Sequence, residues 1–202
     1  MFFEPKNGHG LPHNPFNALV VPRPIGWISS RDSNGIDNLA PYSFFNAVAY
    51  TPPQVMFSST GTKADQDGAK DTLANIRDTG VFCVNIVGKD MLDAMNATSA
   101  TLPNHIDEFA HAGLEKEACE TIDCARVANI PAALECQLID TVVMRGGQNT
   151  VVFGEVTGIY MNDAYVIEGK FDISKFTPVG RLGYMDYAMV ADPFELIRPD
   201  AV

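Results

Sequence analysis

Two long β-rich runs, residues 133–145 and 150–161, are separated only by Gly146-Gly147-Gln148-Asn149, and this pairing constrains the fold more than any other feature. A glycine-rich link of that length between apolar, β-branched runs specifies an antiparallel hairpin. A second hairpin is expected early in the chain. Residues 24–30 form a short apolar run ending in Ser29-Ser30, Arg31 to Gly35 is dense in turn formers, and 37–49 returns as a strand. Pro52-Pro53 closes that segment, and 54–59 is compact and apolar enough for a buried strand. Residues 81–87 give another strand, and a short one is expected at 165–168. Leu73 and Ile76 stand three apart before Gly80, which predicts a short helix over 71–79 ending in a left-handed glycine. A second helix is expected over 89–98, while 99–130 reads as mixed turns and loops with the potential to cover a pocket. Strands at hairpin spacing with only brief helices form an antiparallel barrel, since closure removes exposed sheet edges. The fold class is therefore mainly β.

The chain has 202 residues and shows no internal repeat and no linker, so one domain over 1–202 is expected, with 1–20 as an N-terminal arm. Its formal net charge of −11 excludes the clustered basic footprint that nucleic-acid backbones require. No apolar run approaches the roughly 18 residues of a membrane span, and the first residues lack a cationic region followed by an apolar segment. A cytoplasmic location is the expectation. Cys83, Cys119, Cys124 and Cys136 contain no Cys-x-x-Cys pair and read as reduced, small hydrophobes. With His105 and His111, Cys119 and Cys124 lack the ligand spacing of a zinc site, so no metal is expected.

Val55-Met56-Phe57 leaves into the hydroxyls of Ser58-Ser59-Thr60, and Lys70-Asp71-Thr72 opens the short helix. Hydroxyls, an ammonium and the free N–H groups of a helix start together make a cradle for a phosphate. Against the overall acidity an anion must be captured locally, which draws attention to Arg23, Lys63 and Lys70. Taken alone, Lys70-Asp71-Thr72 also serves as an ordinary capped helix start, and Ser58-Ser59 as a strand-end turn. Pro41 interrupts a strand ladder and frees neighbouring main-chain groups, as a ligand or a barrel rim would use them. No Ser lies in a motif that would hold a His against it, so no catalytic nucleophile–base pair is assigned. There is likewise no Gly-x-Gly-x-x-Gly unit for a dinucleotide.

The order of Arg23 to Ser29, Asn38 to Asn46, Ser58 to Thr60, Lys70 to Ile76 and Thr79 to Asn85 resembles the flavin reductase-like FMN-binding split-barrel family. Asp107-Glu108-Phe109, Ala112-Gly113-Leu114, Ala133 to Cys136, Phe153 to Val156 and Arg181 to Tyr184 extend the resemblance over most of the chain. It implies a Greek-key antiparallel split β-barrel with short flanking helices. It places Ser58, Ser59, Lys70, Asp71 and Thr72 at the phosphate of FMN, Asp71 through its backbone N–H and cap. Asn38, Leu39, Ala40 and Ser43 take the ring and ribityl chain. Trp27 is an aromatic wall of the pocket or a core anchor, and Asn46 bonds near the cofactor or closes a turn. Arg181 and Tyr184 are open between a flavin contact and packing. The implied activity is hydride transfer from NADH or NADPH to the flavin in a homodimer. The alternative is an FMN-binding electron carrier, flavoredoxin-like, that serves a redox partner protein. Heme in the same barrel is disfavoured, because the motif region offers no convincing axial His or Cys.

Overall fold

The structure, a computed structural model, describes residues 1–61 and 69–199; Lys63 lies outside the described residues. Among the described residues seven strands form one antiparallel sheet: β1 (Gly26–Arg31), β2 (Asp37–Tyr42), β3 (Phe45–Tyr50), β4 (Pro53–Thr60), β5 (Val81–Ile86), β6 (Ala132–Val143) and β7 (Asn149–Met161). Their spatial order is β2-β1-β5-β6-β7-β4-β3. The β6–β7 and β1–β2 hairpins are those expected from the sequence. The run 37–49, expected to return as one strand, is instead two strands on opposite edges of the sheet.

That split forces closure. In a flat sheet, six inter-strand spacings of about 4.8 Å would hold β2 and β3 roughly 29 Å apart. Only Ser43 and Phe44 connect them, and the three Cα steps from Tyr42 to Phe45 reach at most about 11 Å. The sheet has to curl until its ends meet. The Tyr42 and Phe57 ring centroids accordingly lie 4.8 Å apart, and the Ser58 N–H donates to the Phe44 carbonyl at 2.8 Å.

Alternation along the strands creates two cores. Ile28, Phe57, Phe82, Val84 and Val152 fill the barrel, where Phe57 meets Phe82 edge-on at 5.6 Å from a strand that is not its neighbour. Helix α1 (Asp71–Thr79) adds Leu73 and Ile76 to this interior and ends at Gly80 in the left-handed conformation, φ 76°. The ring of Phe82 needs Gly154 opposite it, since a Cβ there would lie 2.4 Å from its Cζ. Trp27, Leu39 and Cys83 point the other way and are covered by α2 (Leu92–Ala97), α3 (Glu108–His111) and the hairpin of Lys116–Ala118 with Ala125–Val127. The expected second helix is thus α2 with one preceding 3₁₀ turn, Lys89–Met91. The stretch left open in the sequence is the cover of this outer core. No helix among the described residues is long and apolar enough to cross a membrane.

Candidate cofactor cleft

The end of β2, the start of α1 and the segment following α2 converge on one cleft with about 650 Å³ of empty space and a mouth open to solvent. Its floor is Asn38, Ala40, Pro41 and Tyr42, one wall is Lys70-Asp71-Thr72, and the other is Thr98 to Leu102 with Glu108. Strand β2 is an edge strand paired only with β1, so the main-chain groups on its free side are available. One of them, the Leu39 N–H, donates to Glu108 Oε2 at 3.1 Å. Residue Lys70 stands at the N-cap of α1 with extended backbone, and among the described residues no side-chain cap bond is made at the helix start. Its first N–H groups and the positive end of its dipole therefore point out of the helix without a side-chain acceptor from the cap.

A buried polar chain fixes this arrangement. Thr72 Oγ1 donates to Asn38 Oδ1 at 2.6 Å, and Asn38 Nδ2 donates to Glu108 Oε2 at 2.9 Å. Asn38, Thr72 and Glu108 are all buried. Burial raises the Glu108 carboxyl above the usual glutamate range, and the charge of Asp71 pushes it in the same direction. Burial also lowers the Lys70 ammonium, which lies 5.9 Å from the Tyr42 ring centroid. The Tyr42 phenol, moved up to about 12 chiefly by burial, sits beside Thr72 and Ser59 without a hydrogen bond of normal geometry to either. The Ser59 hydroxyl is also buried without a partner. Unpaired buried hydroxyls are costly; Tyr42 lines the cleft, whereas Ser59 lies behind it and is not part of the lining.

Of the residues singled out in the sequence, Asn38, Ala40, Lys70, Asp71 and Thr72 line this cleft together. Leu39 is wholly buried beneath it and contributes its N–H. Ser59 lies below Tyr42, whereas the Ser58 hydroxyl accepts from Asn149 Nδ2 at 3.3 Å. Ser43 faces two neighbouring hollows beyond Pro41. Trp27 takes the core-anchor alternative: it is fully buried in the outer core, its indole N–H donates to Thr98 Oγ1 at 2.8 Å, and its ring forms no part of the cleft wall. Asn46 is exposed on β3 and accepts from the next N–H, that of Ala47, at 2.9 Å. Arg23 is not a free cation for the cofactor phosphate, because its guanidinium donates to the carbonyls of Asn17, Val20 and Leu182. Glu108 and Tyr42 were missed. Nothing local separates Glu108 from an exposed glutamate in a first helical turn, and its burial arises from packing α3 on β2.

A sequence profile of the flavin reductase like domain matches residues 18–174. An uncharacterised protein of Aquifex aeolicus is 37% identical over 167 residues, which span 82% of this chain and 83% of that protein. The solved structure of nitrilotriacetate monooxygenase component B from Bacillus cereus aligns with a TM-score of 0.87 at 28% identity, over 97% of this chain and 98% of that one. The 2-nitrobenzoate 2-nitroreductase of Pseudomonas fluorescens aligns with a TM-score of 0.80 at 30% identity, over 91% and 88%. With the profile spanning most of the sequence and the barrel shared over nearly its whole length, the chain belongs to the flavin reductase like domain family.

Proposed function

We propose that the protein is an FMN-dependent oxidoreductase that draws hydride from NADH or NADPH. The observation that carries this reading is the cleft itself, where Lys70 and a helix start stand at one end of an edge strand that keeps Pro41 within its ladder, opposite Trp27. Its donor set fits FMN. A phosphate dianion matches an ammonium beside the N–H groups of a helix start, and the polar side chains that line the cleft match a polar ligand chain. The free side of β2 offers main-chain donors and acceptors to the edge of a flat ring. When bound, FMN supplies the two-electron redox chemistry of the reaction.

The chain's own work is binding and orientation. Lys70 and the first N–H groups of α1 hold the phosphate, Asp71 contributing its N–H. Thr72 and Asn38 are committed to each other, so they act mainly as a strut that fixes the helix start against β2. Glu108 holds the far end of that strut and the Leu39 N–H. Ala40 and Pro41 form the floor, and Thr98 to Leu102 reduce water access from one side. Such preorganisation is what a hydride transfer between stacked partners requires, since it needs alignment more than an acid or base. The aligned nitroreductase and monooxygenase component support oxidoreductase chemistry in this fold. A homodimer, a cytoplasmic setting and service to a redox partner protein complete the proposal. Exposed Ile139, Val142 and Val143 on β6 support a protein contact there.

Titrating FMN into the flavin-free protein tests the reading. Quenching of FMN fluorescence to a defined stoichiometry, with a perturbed flavin spectrum, is expected. A protein that leaves FMN fluorescence unchanged contradicts it.

A further inference from the structure

Three hollows follow β2 and its exit. The cofactor cleft shares Pro41 and Ser99 with a second hollow, and that one shares Ser43 and Arg181 with a third. The third is lined by Arg23, Arg181, His13, Asn14, Ser43 and Tyr184, and no Asp or Glu of the described residues lines it. In a chain of net charge −11 this composition runs against the average surface. Burial lowers Arg23, and the nearby Arg181 charge lowers it further. Among the described residues neither arginine has a carboxylate partner. Two neighbouring guanidinium groups without a counter-charge are unfavourable, the more so when one is buried.

Arg23 is only 7% exposed, and its three bonds to carbonyls still leave Nε without a partner. Arg181 is more open. It donates to the Tyr187 hydroxyl and to the Tyr184 carbonyl, contacts that orient the guanidinium while leaving further N–H groups. Tyr184 holds a left-handed backbone, φ 55°, and its ring meets His13 of the N-terminal arm edge-on at 5.8 Å. The arm is thereby drawn over the hollow, adding the side chains of His13 and Asn14 to the arginines.

We propose that this hollow is an anion subsite that receives the phosphate or carboxylate group of the second substrate, whose reactive end lies over the Pro41 floor. The preference for an anion follows from the hollow's own residues; the position of the reactive end rests on the FMN reading of the adjoining cleft. An oriented arginine favours bidentate oxyanions. Two sources share that chemistry, the pyrophosphate of a nicotinamide dinucleotide and the carboxylate of an organic acceptor.

Calorimetric titration of the FMN-loaded protein with ADP-ribose and, separately, with benzoate distinguishes them. At least one probe should bind, Arg181→Gln should weaken it about tenfold or more, and Arg181→Lys should recover part of the loss, with FMN retained throughout. Loss for ADP-ribose assigns the hollow to the dinucleotide, and loss for benzoate to an acceptor acid. Binding unchanged in Arg181→Gln, or no binding of either probe, overturns the subsite. Should the protein hold no FMN, the cofactor reading fails by itself, and inorganic pyrophosphate titrated into the flavin-free protein still tests the hollow. Binding lost in Arg181→Gln and kept in Lys70→Ala supports the subsite; binding indifferent to Arg181→Gln overturns it.

Discussion

Glu108 accepts a hydrogen bond from the side-chain amide of Asn38 at 2.9 Å, which couples the short helix α3 to the edge strand that floors the cleft. Because the carboxyl is buried, its proton affinity is higher in the folded than in the unfolded chain. In the pH window just above the ordinary glutamate value, the folded protein therefore holds a proton that the unfolded chain has released, and stability falls as pH rises. Glu108→Gln removes this slope. Urea unfolding across that window should show wild type losing stability relative to the variant as pH rises; a pH-independent difference contradicts it. Glu108→Ala strips an acceptor from Asn38 and from Leu39 N–H and should cost about 1–3 kcal/mol.

Tyr42→Phe removes a buried hydroxyl that sits beside Thr72 and Ser59 without a hydrogen bond of normal geometry to either. Thermal unfolding of the flavin-free protein should change little or shift upward, because no hydrogen bond of normal geometry is lost. FMN affinity should fall by about 1 kcal/mol if the phenol meets the ligand. A large loss of stability in the flavin-free protein would show that the hydroxyl is already satisfied.

The barrel was legible because its signals are local. Gly146-Gly147 fixes one hairpin, Arg31 to Gly35 another, and Gly80 the end of α1. The crossing at Ser43-Phe44 was not legible, since no glycine marks a turn within 37–49 and only the sheet order shows that its halves pair on opposite edges. The helix-start half of the cleft was readable from Lys70-Asp71-Thr72. Glu108 and the Thr98 to Leu102 wall were not, because their places depend on how α2 and α3 pack on the outer core. Trp27 shows the converse: residue type suits a flavin wall, but strand alternation turns it away from the cleft.

Lys70→Ala should weaken FMN by about 1.5–3 kcal/mol, the range for a hydrogen bond to a charged group, and leave riboflavin nearly unaffected. Fluorescence titrations with the two flavins measure the difference directly. Equal losses would move Lys70 away from the phosphate.

Sedimentation equilibrium should give twice the mass of the 21.9 kDa chain, since a two-fold assembly is the commonest closed form and β6 exposes Ile139, Val142 and Val143. A monomer that retains FMN contradicts the dimer while leaving the cleft intact.

The most direct test of the proposed activity is anaerobic stopped-flow mixing of the FMN-loaded protein with NADH and with NADPH. One of them should bleach the bound flavin's visible absorption at a rate compatible with turnover, on the order of 1 s⁻¹ or faster. If neither nucleotide bleaches it while dithionite or a reduced partner protein does, the protein is a flavin-bearing electron carrier, and the hydride-transfer reading is wrong.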